Sequence, residues 1–181
     1  NEEKVIREKI RNSLALDYPP EKLQIIVVSD RSTDGTDAIV GDFAPQVTLK
    51  RNEVQMGKIA GLSSAVQDCR GEIIVITDAN AFFQKDALRK LLRNFADARV
   101  ACVSGKRIVK SAEGQIAQGQ GLYWKFENAL RIAESRIHST AFTLGAMTAI
   151  RRELFLPLPG ELEFDQVWSL HVVNSGFRSI Y

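Results

Sequence analysis

The feature that most constrains this chain is the run Ile73-Ile74-Val75-Ile76-Thr77, which breaks off into Asp78-Ala79-Asn80. An unbroken β-branched run predicts a strand covered on both faces, as in a parallel sheet with helices above and below it. Where it turns polar, two oxygen-bearing side chains stand two residues apart. In open α/β sheets ligands bind beyond the carboxyl ends of the strands. Oxygens placed there can hold a hard cation, and the cation can hold phosphate oxygens. Asp78 and Asn80 serve equally well as the turn into the next helix, so the pair needs company.

That company lies on both sides. Residues 23–29 (LQIIVVS) form a second strand of the same character, leading into the polar turn Asp30-Arg31-Ser32-Thr33-Asp34-Gly35-Thr36. Between and around the two runs, helical and strand patterns alternate. A first helix is capped by Asn1 and carries Val5, Ile6, Ile10 and Leu14; Pro19-Pro20 stops it. Further helices are predicted from Thr36 through Val40 and over residues 58–69 and 86–95. Short strands are predicted over residues 47–50 and 100–109, the latter broken by Gly105. This α-β-α-β order predicts an α/β fold: a mostly parallel sheet with helices on both faces.

After residue 110 the rhythm changes. Residues 114–121 are expected to be a loop, and residues 122–137 a long helix with Leu122, Phe126, Ala129, Leu130, Ala133 and Ile137 on one face. Residues 142–150, interrupted by glycine, are expected to be a strand or extended loop, and residues 160–164 an acidic loop. A last helix covers residues 165–174, with Gly176 as its C′ residue, and a strand covers residues 177–181. Three acidic turns result: Asp30 with Asp34, Asp78 with Asn80, and Glu161-Glu163-Asp165.

At 181 residues the chain fits a single domain. A formal charge of +2 argues against nucleic acid as a partner. Cys69 and Cys102 lack metal-site spacing and read as reduced, buried thiols. The chain opens directly into a helical pattern without a methionine, which suggests a piece of a longer protein.

Taken in order, several motifs resemble those of the family 2 glycosyltransferases. They are Asn1-Glu2-Glu3, Val27-Val28-Ser29-Asp30-Arg31-Ser32-Thr33-Asp34-Gly35-Thr36, Gly57-Lys58, Thr77-Asp78-Ala79-Asn80, Gly145-Ala146 with Arg151-Arg152, and Asp165 ahead of Gly176-Phe177-Arg178. The resemblance implies the GT-A fold, here without the strand that precedes Asn1 in the family. Residues 1–110 would be the nucleotide-sugar half and residues 111–181 the acceptor-side half. It also implies inverting transfer from a nucleotide-diphosphate sugar, with a UDP-sugar first in line, to a saccharide or lipid-linked acceptor. The family includes polysaccharide synthases that work on the cytoplasmic face of a membrane, so a membrane-anchored parent chain is implied too.

Residue roles follow from the same resemblance. Asp30 would accept a nucleobase N–H, or else close an Asx-type turn. Asp34 would close its loop, with Gly35 at positive φ and Thr36 opening a helix. Lys58, at a helix head, would meet phosphate, or else be a solvated lysine. Asp78 would bind donor and, with Asn80, hold Mg²⁺ or Mn²⁺, although a neutral Asn80 departs from the family's Asp-x-Asp. Gly145 and Ala146 would let backbone approach the acceptor, or else allow close strand packing. Arg151 and Arg152 would neutralise phosphate or a lipid headgroup, or else open a helix. Asp165 would be the general base, or else the N-cap of the last helix. Glu163 is the nearest second carboxylate. A sugar nucleotidyltransferase and a non-catalytic α/β module are the competing readings.

Overall fold

The computed structural model describes residues 1–106, 115–158 and 164–181. Helix α1 (Ile6–Leu14) precedes strand β1 (Ile25–Ser29), helix α2 (Thr36–Gly41) and strand β2 (Val47–Arg51). Helix α3 (Lys58–Ala65), strand β3 (Ile73–Ile76), helix α4 (Ala87–Leu92) and strand β4 (Val100–Ser104) follow. The second half supplies α5 (Gln115–Ile137), β5 (Thr148–Arg151), α6 (Phe164–Asn174) and β6 (Arg178–Ile180). The α/β alternation read from the apolar runs is present, and each strand overlaps its predicted run, β2 and β5 ending one residue beyond theirs.

The strands form two sheets. β1 and β2 pair in parallel, and a four-stranded sheet has the order β3-β5-β4-β6. The second sheet is mixed. β5 runs antiparallel to both β3 and β4, while β6 runs parallel to β4. The four-residue β5 thus sits where alternation alone would put a parallel neighbour.

Side-chain alternation along β3 divides the core. Ile74 and Ile76 join Cys102, Ile150, Trp168 and Val172 on the side of α3 and α6. Ile73 and Val75 face the cluster of Leu91, Val100, Val103 and Ala149 on the side of α4. Period-2 alternation in a run apolar on both faces gives this two-sided burial, with helices on each face as expected. A third cluster, Ile6, Ile10, Val40 and Val47, holds α1 and α2 on the β1–β2 sheet.

Several expectations are corrected. Asn1 does not cap α1, which begins at Ile6; its side-chain oxygen accepts the Thr33 N–H at 2.8 Å. Residues 115–121 are helix rather than loop, because α5 begins at Gln115. Residues 142–147 form the approach to β5, and β4 ends at Ser104. Residues 107–109, Gly114, Glu161 and Glu163 lie outside the described residues. The apolar face of α5 points outward: Phe126 is 65% exposed and Ile137 87%. Arg152 opens the 3-10 turn Arg152–Leu154, as the second reading of the pair had it, and the hydrogen-bond partners of Arg151 are backbone carbonyls of the fold. The Arg151 guanidinium donates to the carbonyls of Val100 at 2.9 Å and Phe95 at 3.0 Å and lies over the Phe95 ring. Arg152 donates to the Cys69 carbonyl at 3.3 Å. Cys102 is fully buried, and burial pushes its thiol up to about 12; Cys69 is half-buried, and both are free thiols. Among the described residues no helix is long and apolar enough to cross a membrane.

Ile150 on β5 is fully buried between β3 and β4. Ile150→Ala is expected to cost about 2–5 kcal/mol of stability, since the inserted strand leaves little room for collapse around the lost methyls. Urea denaturation of the two proteins measures it.

Candidate active site

Antiparallel β5 determines what meets what. Ile76, the last residue of β3, is registered with Thr148, the first of β5, and Thr148 is also registered with Ser104, the last of β4. The segment leading into β5 therefore lies at the edge where β3 and β4 end. Thr148 fixes that segment through its hydroxyl, which donates to the Leu144 carbonyl at 2.8 Å, and Leu144 N–H donates to Ser104 Oγ at 2.8 Å. Gly105 is needed for close approach. A Cβ there would lie 3.0 Å from the Met147 Cβ, and the Gly105 N–H donates to the Met147 carbonyl at 2.8 Å.

The sequence-predicted residues lie along one continuous line of contacts. Asp30 accepts N–H groups from Gly57 at 2.8 Å and Met56 at 2.9 Å, and the Asn52 amide at 3.0 Å. Gly57, with φ of 81°, turns the chain into α3, whose first residue is Lys58. The Lys58 ammonium sits 2.5 Å from Asp78 Oδ1. The neighbouring Thr77 hydroxyl donates to the Ala146 carbonyl at 2.9 Å. Gly145 N–H donates to Asp165 Oδ2 at 3.2 Å. Asn80 stands exposed at the turn after Asp78.

Each position has a local cause. Burial pushes the Asp30 carboxyl up, but together the Asn52, Met56 and Gly57 donors hold it below the usual carboxylate range. Asp34 closes its loop as expected: Thr36 donates to it from its hydroxyl at 2.6 Å and its N–H at 3.1 Å, and these bonds lower its carboxyl. Gly35, however, has φ of −71°, and the left-handed residue of this turn is Arg31, at 59°. Asp165 is not an N-cap. It lies in the first turn of α6, which begins at Phe164, and its own carbonyl accepts the Thr143 N–H at 2.8 Å and the Thr143 hydroxyl at 3.0 Å.

The metal pair requires a test of fit. Asp78 accepts a cation in the plainest sense, since an ammonium already rests on it. Yet among the described residues no three His, Cys, Asp or Glu side chains gather to hold a metal. Asp78 and Asn80 thus suit a hard ion such as Mg²⁺ or Mn²⁺ that takes the rest of its shell from water and a ligand's phosphates. They do not suit a metal held by protein alone.

One residue escaped the sequence reading. Lys9, on α1, is 5% exposed and reaches this turn from behind. Its ammonium donates to Thr77 Oγ1 at 2.9 Å and to the Ala81 carbonyl, and lies 3.8 Å from the Phe83 ring centroid. Burial pulls its pKa down to about 8, partly countered by the Asp78 charge. The signal was present: Lys9 falls beside Ile10 and three residues after Ile6, on the apolar stripe.

Asp30→Asn is expected to loosen residues 52–57, because an amide faces three donors with one acceptor oxygen. The loss should be roughly 1 kcal/mol after solvent screening. The wild-type contribution is complete above the unfolded carboxyl value of about 3.9 and is lost as pH falls through the lower folded value. Acid melting curves should therefore differ between the two proteins above that window and converge below it.

Comparison with known proteins places this geometry in context. The model of the family described as Glycosyl transferase family 2 matches residues 1–156. The probable glycosyltransferase YdaM of Bacillus subtilis (strain 168) is 29% identical over 98% of this chain and 46% of its own length. The beta-monoglucosyldiacylglycerol synthase of Synechocystis sp. is 32% identical over 67% of this chain and 26% of its own length. Among solved structures, the mannosyltransferase PcManGT from Pyrobaculum calidifontis, in complex with GDP-Man and Mn²⁺, superposes with a TM-score of 0.85. It is 32% identical, over 99% of this chain and 51% of that one. The chain thus spans about half the length of such proteins or less, and it shares the GT-A architecture.

Proposed function

This chain belongs to glycosyl transferase family 2, and from that premise we propose that it transfers a sugar from a nucleotide-diphosphate sugar to an acceptor hydroxyl with inversion. The observation that carries the reading is the unbroken line of contacts from Asp30 through Gly57, Lys58, Asp78, Thr77, Ala146 and Gly145 to Asp165. On this reading the line would join a nucleobase acceptor, a phosphate cation and a carboxylate base.

Each residue has a part that its chemistry allows. Asp30 keeps an acceptor position on Oδ2 beyond the three bonds its loop makes, and a ring N–H next to a carbonyl, as in uracil or guanine, is the donor it would take. UDP- and GDP-sugars are therefore the two donor classes. Lys58 and the first N–H groups of α3 face the diphosphate. A bound Mg²⁺ or Mn²⁺, held by Asp78 and Asn80, would neutralise charge on the diphosphate as it leaves. Gly145 and Ala146 offer backbone without bulk to the acceptor. Asp165 removes the proton of the acceptor hydroxyl as that oxygen attacks the anomeric carbon from the side opposite the diphosphate, which inverts the centre.

The acceptor is a saccharide or a lipid-linked acceptor, and the whole protein works at the cytoplasmic face of a membrane. The likeness to a synthase named for a glucosyldiacylglycerol, a sugar-bearing lipid, supports the acceptor class.

Thermal shift with UDP, GDP and their sugar conjugates, with and without Mn²⁺, tests the donor side. A rise in Tm that grows with Mn²⁺ is expected, and Asp78→Asn should remove the metal's share. No response to any of them would overturn the reading. Asp165→Asn should lower turnover by roughly 100-fold or more while leaving Tm and donor affinity nearly unchanged. Full turnover in that variant would remove Asp165 as the base.

A further inference from the structure

The turn that carries Asp78 and Asn80 is gripped from behind by α1. Lys9 lies on the face of that helix that takes Ile6 and Ile10 into the core. Lysines seldom sit so deep without partners, because the ammonium must be compensated for the water it loses. Lys9 is compensated by three groups of one short segment: the Thr77 hydroxyl at 2.9 Å, the Ala81 carbonyl and the face of Phe83. Asn12, one turn further along α1, adds two bonds to the same segment. It accepts the Phe83 N–H at 2.8 Å and donates to the Phe83 carbonyl at 2.9 Å. Residues 77, 81 and 83 are thereby fixed on both sides of Asp78 and Asn80.

The ammonium also sets a direction. It has donors only, so the Thr77 hydroxyl must accept from it and turn its own hydrogen elsewhere. That hydrogen goes to the Ala146 carbonyl at 2.9 Å, on the segment whose Gly145 N–H meets Asp165. A methionine at position 9 would fill the same space with no ion to desolvate. The lysine is explained by what it holds rather than by packing.

We propose that Lys9 is a positioning residue for this site, fixing the turn that carries Asp78 and Asn80 and, through Thr77, setting that turn against Gly145 and Ala146. The inference rests on the donor-site reading above. Lys9 acts through Asp78 and Asn80 and touches no substrate.

Two variants test it. Lys9→Met keeps the stem and removes charge and donors; Thr77→Val keeps the shape and removes the relay. Amide hydrogen exchange over residues 77–83 and 145–148 reads the tether itself. Calorimetric affinity for UDP and GDP, with and without Mn²⁺, reads the positioning. Faster exchange in both segments is expected, with the Mn²⁺-dependent gain in affinity falling about tenfold and the metal-free affinity held within about twofold. Unchanged exchange in a folded variant would overturn the proposal. So would faster exchange, or a lower Tm, with the Mn²⁺ gain intact, since that is what a purely structural lysine gives. If Lys9→Met does not fold, Thr77→Val decides on the same criteria. A native chain that binds neither diphosphate brings down the donor-site reading and Lys9's role with it. A native chain that binds, beside variants with the same Mn²⁺ gain, brings down only the role of Lys9.

Discussion

The reversed direction of β5 between β3 and β4 is the constraint on which the rest of the molecule turns. A strand parallel to β3 would begin at the edge where β3 begins, and the segment leading into it would lie far from Asp78. Because β5 runs the other way, Thr148 starts where Ile76 and Ser104 end. The preceding residues are delivered to that edge, and with them come Gly145, Ala146 and the start of α6. The core supports the reversal on both sides, with Ile150 in one hydrophobic cluster and Ala149 in the other. A bulky residue at Gly105 would push Met147 away and open the junction.

The carboxylates gathered there are satisfied to different degrees, and the differences are physical. Asp30 and Asp34 are held by backbone and hydroxyl donors that belong to the fold. Asp34 thereby closes its own turn, and on the proposed reading Asp30 would meet a nucleobase without reorganising. Asp78 is held by Lys58, with side chains 34% and 52% exposed. An ion pair so accessible to water contributes about 1 kcal/mol or less. On the proposed reading it would be exchanged for phosphate on one side and a cation on the other at little cost. This accessible pair is then the contact a donor would have to open. On the far side of the same turn, Lys9 is buried and its contacts are not exchangeable in that way.

The sequence made much of this legible, for reasons that can be traced. Unbroken β-branched runs found β1 and β3 because nothing but a two-sided sheet buries them. The Asp34–Thr36 turn was readable because its bonds join residues two apart. Other features depend on partners distant in sequence. The direction of β5 is set by neighbours on either side of a four-residue strand, and no local pattern encodes it. Arg151 and Arg152 stood open between a phosphate contact and the opening of a helix because an arginine carries no mark of its partners; the carbonyls Arg151 serves are at Phe95 and Val100. Lys9 was passed over because one cation on an apolar stripe reads as a break in the pattern. In fact the stripe supplies the burial that makes the cation's bonds to Thr77 and Ala81 durable.

Helix α5 shows where pattern reading stops. Its apolar period is real, with Phe126, Ala129, Leu130, Ala133 and Ile137 recurring at helical spacing, yet all five are exposed. The side turned to the body of the protein is the polar one. Tyr181 donates from its hydroxyl to Asn128 and from its N–H to Ser135 Oγ. Arg178 donates to the carbonyls of Ser135 at 2.7 Å and His138 at 2.8 Å, satisfying acceptors that the end of a helix leaves open. Arg131 pairs with Glu127 and lies over the Tyr181 ring. Apolar residues recurring every third or fourth position show which way a helix's apolar face points, but not what lies in that direction. Here α5 meets the end of the chain through directed hydrogen bonds. That leaves the apolar face outside, and the periodicity alone carries no information about that choice.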